Sequence, residues 1–310
     1  MDERRRNTMT TIIQCQQLQK KFRGTEAVKN VSFAIEENTI TGLIGHNGAG
    51  KTTLLNLIAG YTHPTAGTVR VFDQTPFNNL YVSSNTMFIN DDMNFPTSLT
   101  LHELLQMGAT FYPNWNYPLS EDLLRYFNLK PGTAYTRLST GMKSTFRAIF
   151  AIAARTPLTL FDEPTTGMDA SVRNDFTRLL LKDYIEFPRT IVLSSHHLSE
   201  VEHVLEDVLI LKNGEVLMHT SLDSLREYAV GMSGPKSEVE ALGAGREILF
   251  QQKLGTEGLY QVVENHFQQE EIETAKQKGV TISGVSAEDV STYLIQPKNG
   301  GIEDVYNRSE

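Results

Sequence analysis

Apolar positions along this chain change rhythm several times, and each change marks an element. Val31-Ser32-Phe33-Ala34-Ile35 alternates with period two, as does Thr68-Val69-Arg70-Val71-Phe72, which predicts two half-buried strands. Between them, Ile40-Thr41-Gly42-Leu43-Ile44-Gly45 is a mostly apolar strand ending in glycine. Residues 51–59 then place Leu54, Leu55, Leu57 and Ile58 at the spacing of a buried helix. From about 99 to 154 the period is helical, in segments 101–107, 120–127 and 141–154, with Ser120 the expected N-cap of the second. Strands return at 158–161, 190–193 and 208–211, with helices expected at 170–182 and 199–205 between them. Asn213-Gly214 reads as a hairpin turn leading to a strand at 215–218.

The pattern changes at 231–236, where Gly-Met-Ser-Gly-Pro-Lys reads as a linker or domain edge. Beyond it, 246–263 predicts two strands around Gly255-Thr256-Glu257-Gly258. A polar helix at 267–278, a strand at 280–282 and a short helix at 286–294 follow. The expected division is a larger α/β domain over 10–230 and a small α+β domain over 232–310.

Composition narrows the functional classes. Of 310 residues, 40% are hydrophobic and 21% charged, a balance that supports a sizeable core and excludes wholesale disorder. The net charge of −9 makes the chain a poor general ligand for nucleic acid backbones, so no nucleic acid partner is expected. A single cysteine, Cys15, allows no internal disulfide and points to a reducing compartment. Arg4-Arg5-Arg6 is followed by no apolar stretch of a signal peptide, and no run approaches about 18 apolar residues. A soluble chain is therefore expected, with any membrane role exercised through a partner.

Gly45-His46-Asn47-Gly48-Ala49-Gly50-Lys51-Thr52-Thr53 satisfies G-x-x-x-x-G-K-[ST] between the predicted strand and helix. Glycines let such a loop close on phosphate oxygens with several backbone N–H groups, and the helix behind it adds the positive end of its dipole. In that pattern Lys51 reaches the β- and γ-phosphates and the Thr52 hydroxyl ligates Mg²⁺. The strand Leu158-Thr159-Leu160-Phe161 delivers Asp162 and Glu163, the first suited to hold Mg²⁺ and the second to activate water as general base.

Over about 10–230 the chain resembles the nucleotide-binding subunits of ABC transporters in these motifs and those that follow. Leu138-Ser139-Thr140-Gly141-Met142 is similar to the family signature, although Thr140 and Met142 depart from its commonest form. Asp162-Glu163-Pro164-Thr165-Thr166-Gly167-Met168-Asp169 resembles the Walker B segment and D-loop, and Ser194-Ser195-His196 the switch motif. The resemblance implies an α/β P-loop core of ABC type with an antiparallel β subdomain, a helical subdomain at about 99–154 and the small C-terminal domain. It implies that Phe22 stacks on adenine and that His196 contacts the γ-phosphate. Ser139 and Gly141 then bind that phosphate from the opposite protomer, with Asp169 at the same interface. Where the family carries glutamine, this sequence offers Asp91, expected to orient water or Mg²⁺ as an anion.

The function so implied is an ATPase that closes head to tail as a homodimer or heterodimer and powers a separate membrane permease, with export the direction the resemblance implies. Its expected place is the cytoplasmic face of the membrane, held there through the permease. Phe111-Tyr112-Pro113-Asn114-Trp115-Asn116-Tyr117 offers either a gripping surface for that permease or local core packing. The sequence also admits two alternatives: a soluble non-transport ABC ATPase acting on a macromolecular complex, and an ATP-binding regulatory module.

Overall fold

A computed structural model describes residues 10–296; Arg4-Arg5-Arg6 and residues 297–310 lie outside the described part. Two long antiparallel strands, β1 (Thr11–Phe22) and β2 (Thr25–Glu36), come first. β1 has no clean alternation in the sequence because bulges near Cys15, Leu18 and Lys20 shift its register, with Gln17 at φ 47°. Its apolar residues Ile13, Cys15 and Leu18 are nonetheless fully buried. After β3 (Ile40–Ile44) and α1 (Lys51–Ile58), β4 (Ala66–Val71) returns to pair with β1, giving a three-stranded sheet in the order β2-β1-β4.

A short α2 (Leu80–Asn85) leads into β5 (Thr86–Ile89), and three helices follow: α3 (Leu101–Phe111), α4 (Tyr117–Tyr126) and α5 (Thr140–Ala154). Thr100 and Glu103 form a capping box at α3. Ser120 is not the cap of α4. Asn116 caps it, accepting from Leu119 N, while Ser120 is fully buried one turn inside and donates its hydroxyl to Tyr117 O at 2.8 Å. Pro118 in the first turn lets the helix begin earlier than its apolar period shows. The aromatic run divides. Trp115 packs on Phe150 with centroids 4.8 Å apart, and its ring lies so close to Gly108 that a Cβ there would meet it at 2.3 Å. Of the run's aromatic side chains, only Phe111 is largely exposed.

The remaining α/β elements are β6 (Leu158–Asp162), α6 (Ala170–Glu186), β7 (Thr190–Ser195), β8 (Asp207–Lys212) and β9 (Glu215–Ser221). The six-stranded sheet runs β5-β6-β7-β3-β8-β9, and its first five strands pair in parallel. Its central strands are buried along their length, which explains why they read as apolar runs rather than alternations. The helix expected at 199–205 is instead two separate 3-10 turns, Leu198–Glu200 and Glu202–Val204. Val201, at φ −127° between them, interrupts the helical path.

The chain separates into two compact units between His219 and Thr220. In the second, after α7 (Leu222–Glu227), the elements are β10 (Ala229–Pro235), α8 (Lys236–Gly243), β11 (Ile248–Leu254), β12 (Gly258–Glu264), α9 (Gln269–Gln277), β13 (Thr281–Gly284) and α10 (Ala287–Ile295). Segment 231–236 is thus neither a linker nor the edge between the units: most of it is β10, an inner strand of an antiparallel sheet ordered β11-β12-β10-β13. Its glycines serve close approach rather than flexibility, since a Cβ on Gly231 would meet the Tyr260 hydroxyl at 2.5 Å. From β10 to β13 the connectivity is β-α-β-β-α-β, the split βαβ arrangement. Met232, Val239, Leu259, Val263, Ala275 and Val280 form its core.

Candidate functional site

The parallel sheet gathers the motif residues at the carboxyl ends of three neighbouring strands. In β6 and β7, Asp162 pairs with Ser194, and in β3 and β7, Ile44 pairs with Ser195. The loops that leave these ends, beginning at Gly45, Glu163 and His196, therefore converge where open α/β sheets hold their ligands.

Main-chain atoms shape the loop at 45–53. A Cβ on Gly45 would meet Leu211 O at 2.4 Å, and one on Gly50, at φ 105°, would meet Ala27 O at 2.4 Å. Gly50 occupies the N-cap of α1 and supplies no side-chain acceptor, so the helix start is available to an anion. His46, Asn47, Gly48 and Thr52 form the exposed rim, while Ala49 is buried and Thr53 half-buried. From behind, Gly214 N donates to Ala49 O at 2.9 Å, and Asn213 Oδ1 lies 3.3 Å from His46 Nε2. The hairpin turn after β8 props the loop.

Lys51 is only 6% exposed, and its ammonium has three oxygen neighbours. It donates to Gly45 O at 2.6 Å and His46 O at 3.4 Å, and lies 3.0 Å from Glu163 Oε1. The other Glu163 oxygen is 2.8 Å from His196 Nδ1. Glu163 itself has φ 48°, a left-handed conformation uncommon outside glycine. Ser194 holds it there: its hydroxyl accepts from Glu163 N at 2.9 Å and donates to Asp162 Oδ1 at 2.7 Å. One serine thus orients both acids. Sequence reading quoted Ser194 as part of the His196 motif without giving it this task; its place opposite Asp162 depends on strand register.

The signature residues are arranged differently. Ser139 is the N-cap of α5, with its hydroxyl 3.4 Å from Met142 N. Gly141 lies against the Gly167 turn, where a Cβ would meet Gly167 O at 2.3 Å. No hydrogen bond or ion pair joins Ser139 or Gly141 to Lys51, Asp162, Glu163 or His196 in the described chain. Asp169 caps α6, accepting from Val172 N at 2.9 Å. Phe22 ends β1 with its ring 49% exposed and Lys20 Nζ 5.0 Å from the centroid. Asp91 goes neither to Lys51 nor to Glu163; its Oδ1 accepts from Arg147 Nη2 at 2.7 Å. Sequence reading missed Arg147, and also Glu200, which accepts from Thr165 Oγ1 at 3.0 Å and from Arg173 Nη1 at 2.5 Å.

The donor chemistry at the loop fits Mg²⁺. Thr52 offers an exposed hydroxyl and Asp162 a carboxylate, the hard oxygen donors that this ion prefers alongside phosphate. No cluster of three or more His, Cys, Asp or Glu suited to a softer metal occurs among the described residues.

Residues 28–166 match the family profile described as ABC transporter. The ABC transporter ATP-binding protein YtrB of Bacillus subtilis is 31% identical over 217 residues, which span 70% of this chain and 74% of that protein. The bacitracin transport ATP-binding protein BcrA of Bacillus licheniformis is 29% identical over 222 residues, or 71% of this chain and 72% of its own length. Among solved structures, an ATP binding subunit of an ABC transporter superposes with TM-score 0.62 at 26% identity, covering 70% of this chain and 92% of that one. The dimeric post-hydrolysis state of the ATP-binding cassette MJ0796, bound to ADP and Pi, shares the fold at TM-score 0.60 and 23% identity, covering 68% of this chain and 99% of that one.

Proposed function

This chain belongs to the ABC transporter family as an ATP-binding ATPase subunit, and from that premise we propose how its residues divide the work. The backbone N–H groups of 46–52 and the Lys51 ammonium bind the triphosphate, and Phe22 takes the adenine. Thr52 and Asp162 hold Mg²⁺, which when bound offsets charge on the β- and γ-phosphates. Glu163 accepts the proton of the attacking water. His196, whose Nδ1 lies 2.8 Å from the second Glu163 oxygen, contacts the γ-phosphate through Nε2. Phosphoryl transfer needs mainly positioning and charge stabilisation, which this arrangement supplies.

Ser139 and Gly141 complete the site of a second protomer, identical or related, with Asp169 beside them. That neither Ser139 nor Gly141 bonds to the chain's own Lys51 among the described residues supports that reading. ATP then favours the closed pair and hydrolysis releases it, a differential affinity able to drive a conformational cycle in an attached permease. No helix among the described residues is long and apolar enough to cross a membrane, so the proposal assigns passage to an integral-membrane subunit, with this chain on its cytoplasmic side. Export as the direction rests on the resemblance of the sequence to ABC ATPases that serve a separate membrane subunit. The observation that carries the proposal is the joined set Lys51–Glu163–His196 with Ser194 bridging Asp162 and Glu163. Steady-state ATP turnover of the wild type against Glu163→Gln tests it: turnover lost in the variant is expected, and equal rates would overturn hydrolysis at this site.

A further inference from the structure

The helix that begins at Ser139 carries, two turns along, an arginine that is 6% exposed. Arg147 Nη1 donates to Asn90 O at 2.7 Å, and Nη2 donates to Asp91 Oδ1 at 2.7 Å and to Ser144 Oγ at 3.1 Å. Ser144 passes the link on, donating its hydroxyl to Thr166 O at 2.8 Å. α5 is therefore bonded on one side to the segment leaving β5 and on the other to the turn that follows Glu163. Asn90 and Asp91 leave the sheet beside Asp162 and Glu163, since Ile89 of β5 pairs with Phe161 of β6.

The charges make the link directional. A buried guanidinium needs a counter-ion, and removing its carboxylate leaves an uncompensated charge. Asp91 is the anion beside Arg147. Its own side chain is 67% exposed, so its reason for being an acid lies in its partner rather than in local burial. Glutamine at the same position would leave the guanidinium with neutral acceptors alone.

We propose that Arg147 is a positioning residue and Asp91 its counter-ion, not a ligand of Mg²⁺. Together they lock the Ser139 end of α5, which faces the other protomer's nucleotide, to the edge of the sheet where the chain's own Asp162 and Glu163 emerge. The pair ties the two half-sites of one protomer so that occupancy of one is felt by the other. This inference rests on the shared-site reading above.

The test uses the full chain and the variants Asp91→Asn, Asp91→Glu, Arg147→Met and Asp91→Asn/Arg147→Met. For each, four quantities are read: ATP affinity, the Mg²⁺ concentration for half-maximal turnover, kcat, and the Hill coefficient for ATP. Asp91→Asn and Arg147→Met are each expected to lower kcat about tenfold and bring the Hill coefficient to one. Affinity for ATP and the Mg²⁺ requirement should stay within about twofold, and the double variant should be no worse than the poorer single one, as for residues acting as a unit. Asp91→Glu should recover most of kcat. A tenfold rise in Mg²⁺ requirement in Asp91→Asn would return Asp91 to the metal and overturn the inference, as would additive losses or an unchanged Hill coefficient. Asp91 is exposed enough that its substitution leaves the core intact, which covers a failure of Arg147→Met to fold. Loss of turnover in the wild type strikes the ATPase reading instead. The pair is then judged by a thermal-unfolding cycle of the same variants, where absence of coupling between 91 and 147 overturns it.

Discussion

Lys51 Nζ and Glu163 Oε1 stand 3.0 Å apart, so the cation assigned to phosphate and the carboxylate assigned to water neutralise each other. Both are largely shielded, at 6% and 20% exposure, where such a pair holds more firmly than at a surface. A triphosphate entering the loop competes with Glu163 for the ammonium. Binding therefore also releases the base.

Glu163→Gln separates the two effects. The amide removes the charge that holds Lys51 back, so ATP should bind several-fold more tightly than to the wild type. Turnover should fall by about 10²–10⁴, the usual contribution of a general base. Fluorescent-nucleotide titration and phosphate release measure the two; weaker binding in the variant would contradict the competition.

Ser194→Ala tests the serine bridge. The change strands Glu163 N and one oxygen of Asp162, with a loss of about 1–3 kcal/mol in stability for a buried unsatisfied group. Because Glu163 is held at φ 48°, the larger effect is expected in kcat, with ATP affinity changed by less than about threefold. Parallel unfolding and turnover measurements decide whether the serine acts on the base or only on the fold.

Gly141→Ala puts a methyl where Gly167 O already lies, at 2.3 Å, and the backbone on neither side can yield cheaply. The start of α5 and the 165–168 turn should separate. ATP binding by the single chain should persist, while ATP-dependent pairing of a Glu163→Gln background, followed by sedimentation, should be lost.

His219 gives a pH signature. Its half-buried ring packs edge-on to Phe33 with centroids 6.3 Å apart, and burial pushes its pKa below 6.5, with Asp207 opposing the shift. Below 6.5 the unfolded chain binds more protons than the folded one, so stability is lost as pH falls from 6.5 through the lower folded value. His219→Phe keeps the ring and removes the titration. Melting temperatures between about pH 5 and 7 should decline less steeply in the variant than in the wild type.

Legibility followed locality. The loop at 45–53, the acids after β6 and the serine-capped start of α5 were readable because each is a contiguous run whose chemistry requires its residues in order. β1 hides in the sequence because its bulges break alternation, and β10 reads as a linker or domain edge because its glycines answer to Tyr260, distant in sequence. Nothing in the linear sequence sets Arg147 or Glu200 apart from other charged residues. Their partners at Asp91, Thr165 and Arg173 become neighbours only through tertiary packing. Asn116 displaced Ser120 as a cap because proline allowed the helix an earlier start.

The nearest walls of the loop proposed to hold the phosphates are carbonyls, Leu211 O beside Gly45 and Ala27 O beside Gly50. Every amino acid at 27 or 211 brings the same wall, so neutral drift around the loop leaves its outline untouched so long as the two glycines remain. A lineage can exchange most of its surface and still inherit the same grip on an anion, which accords with a shared family at 31% identity.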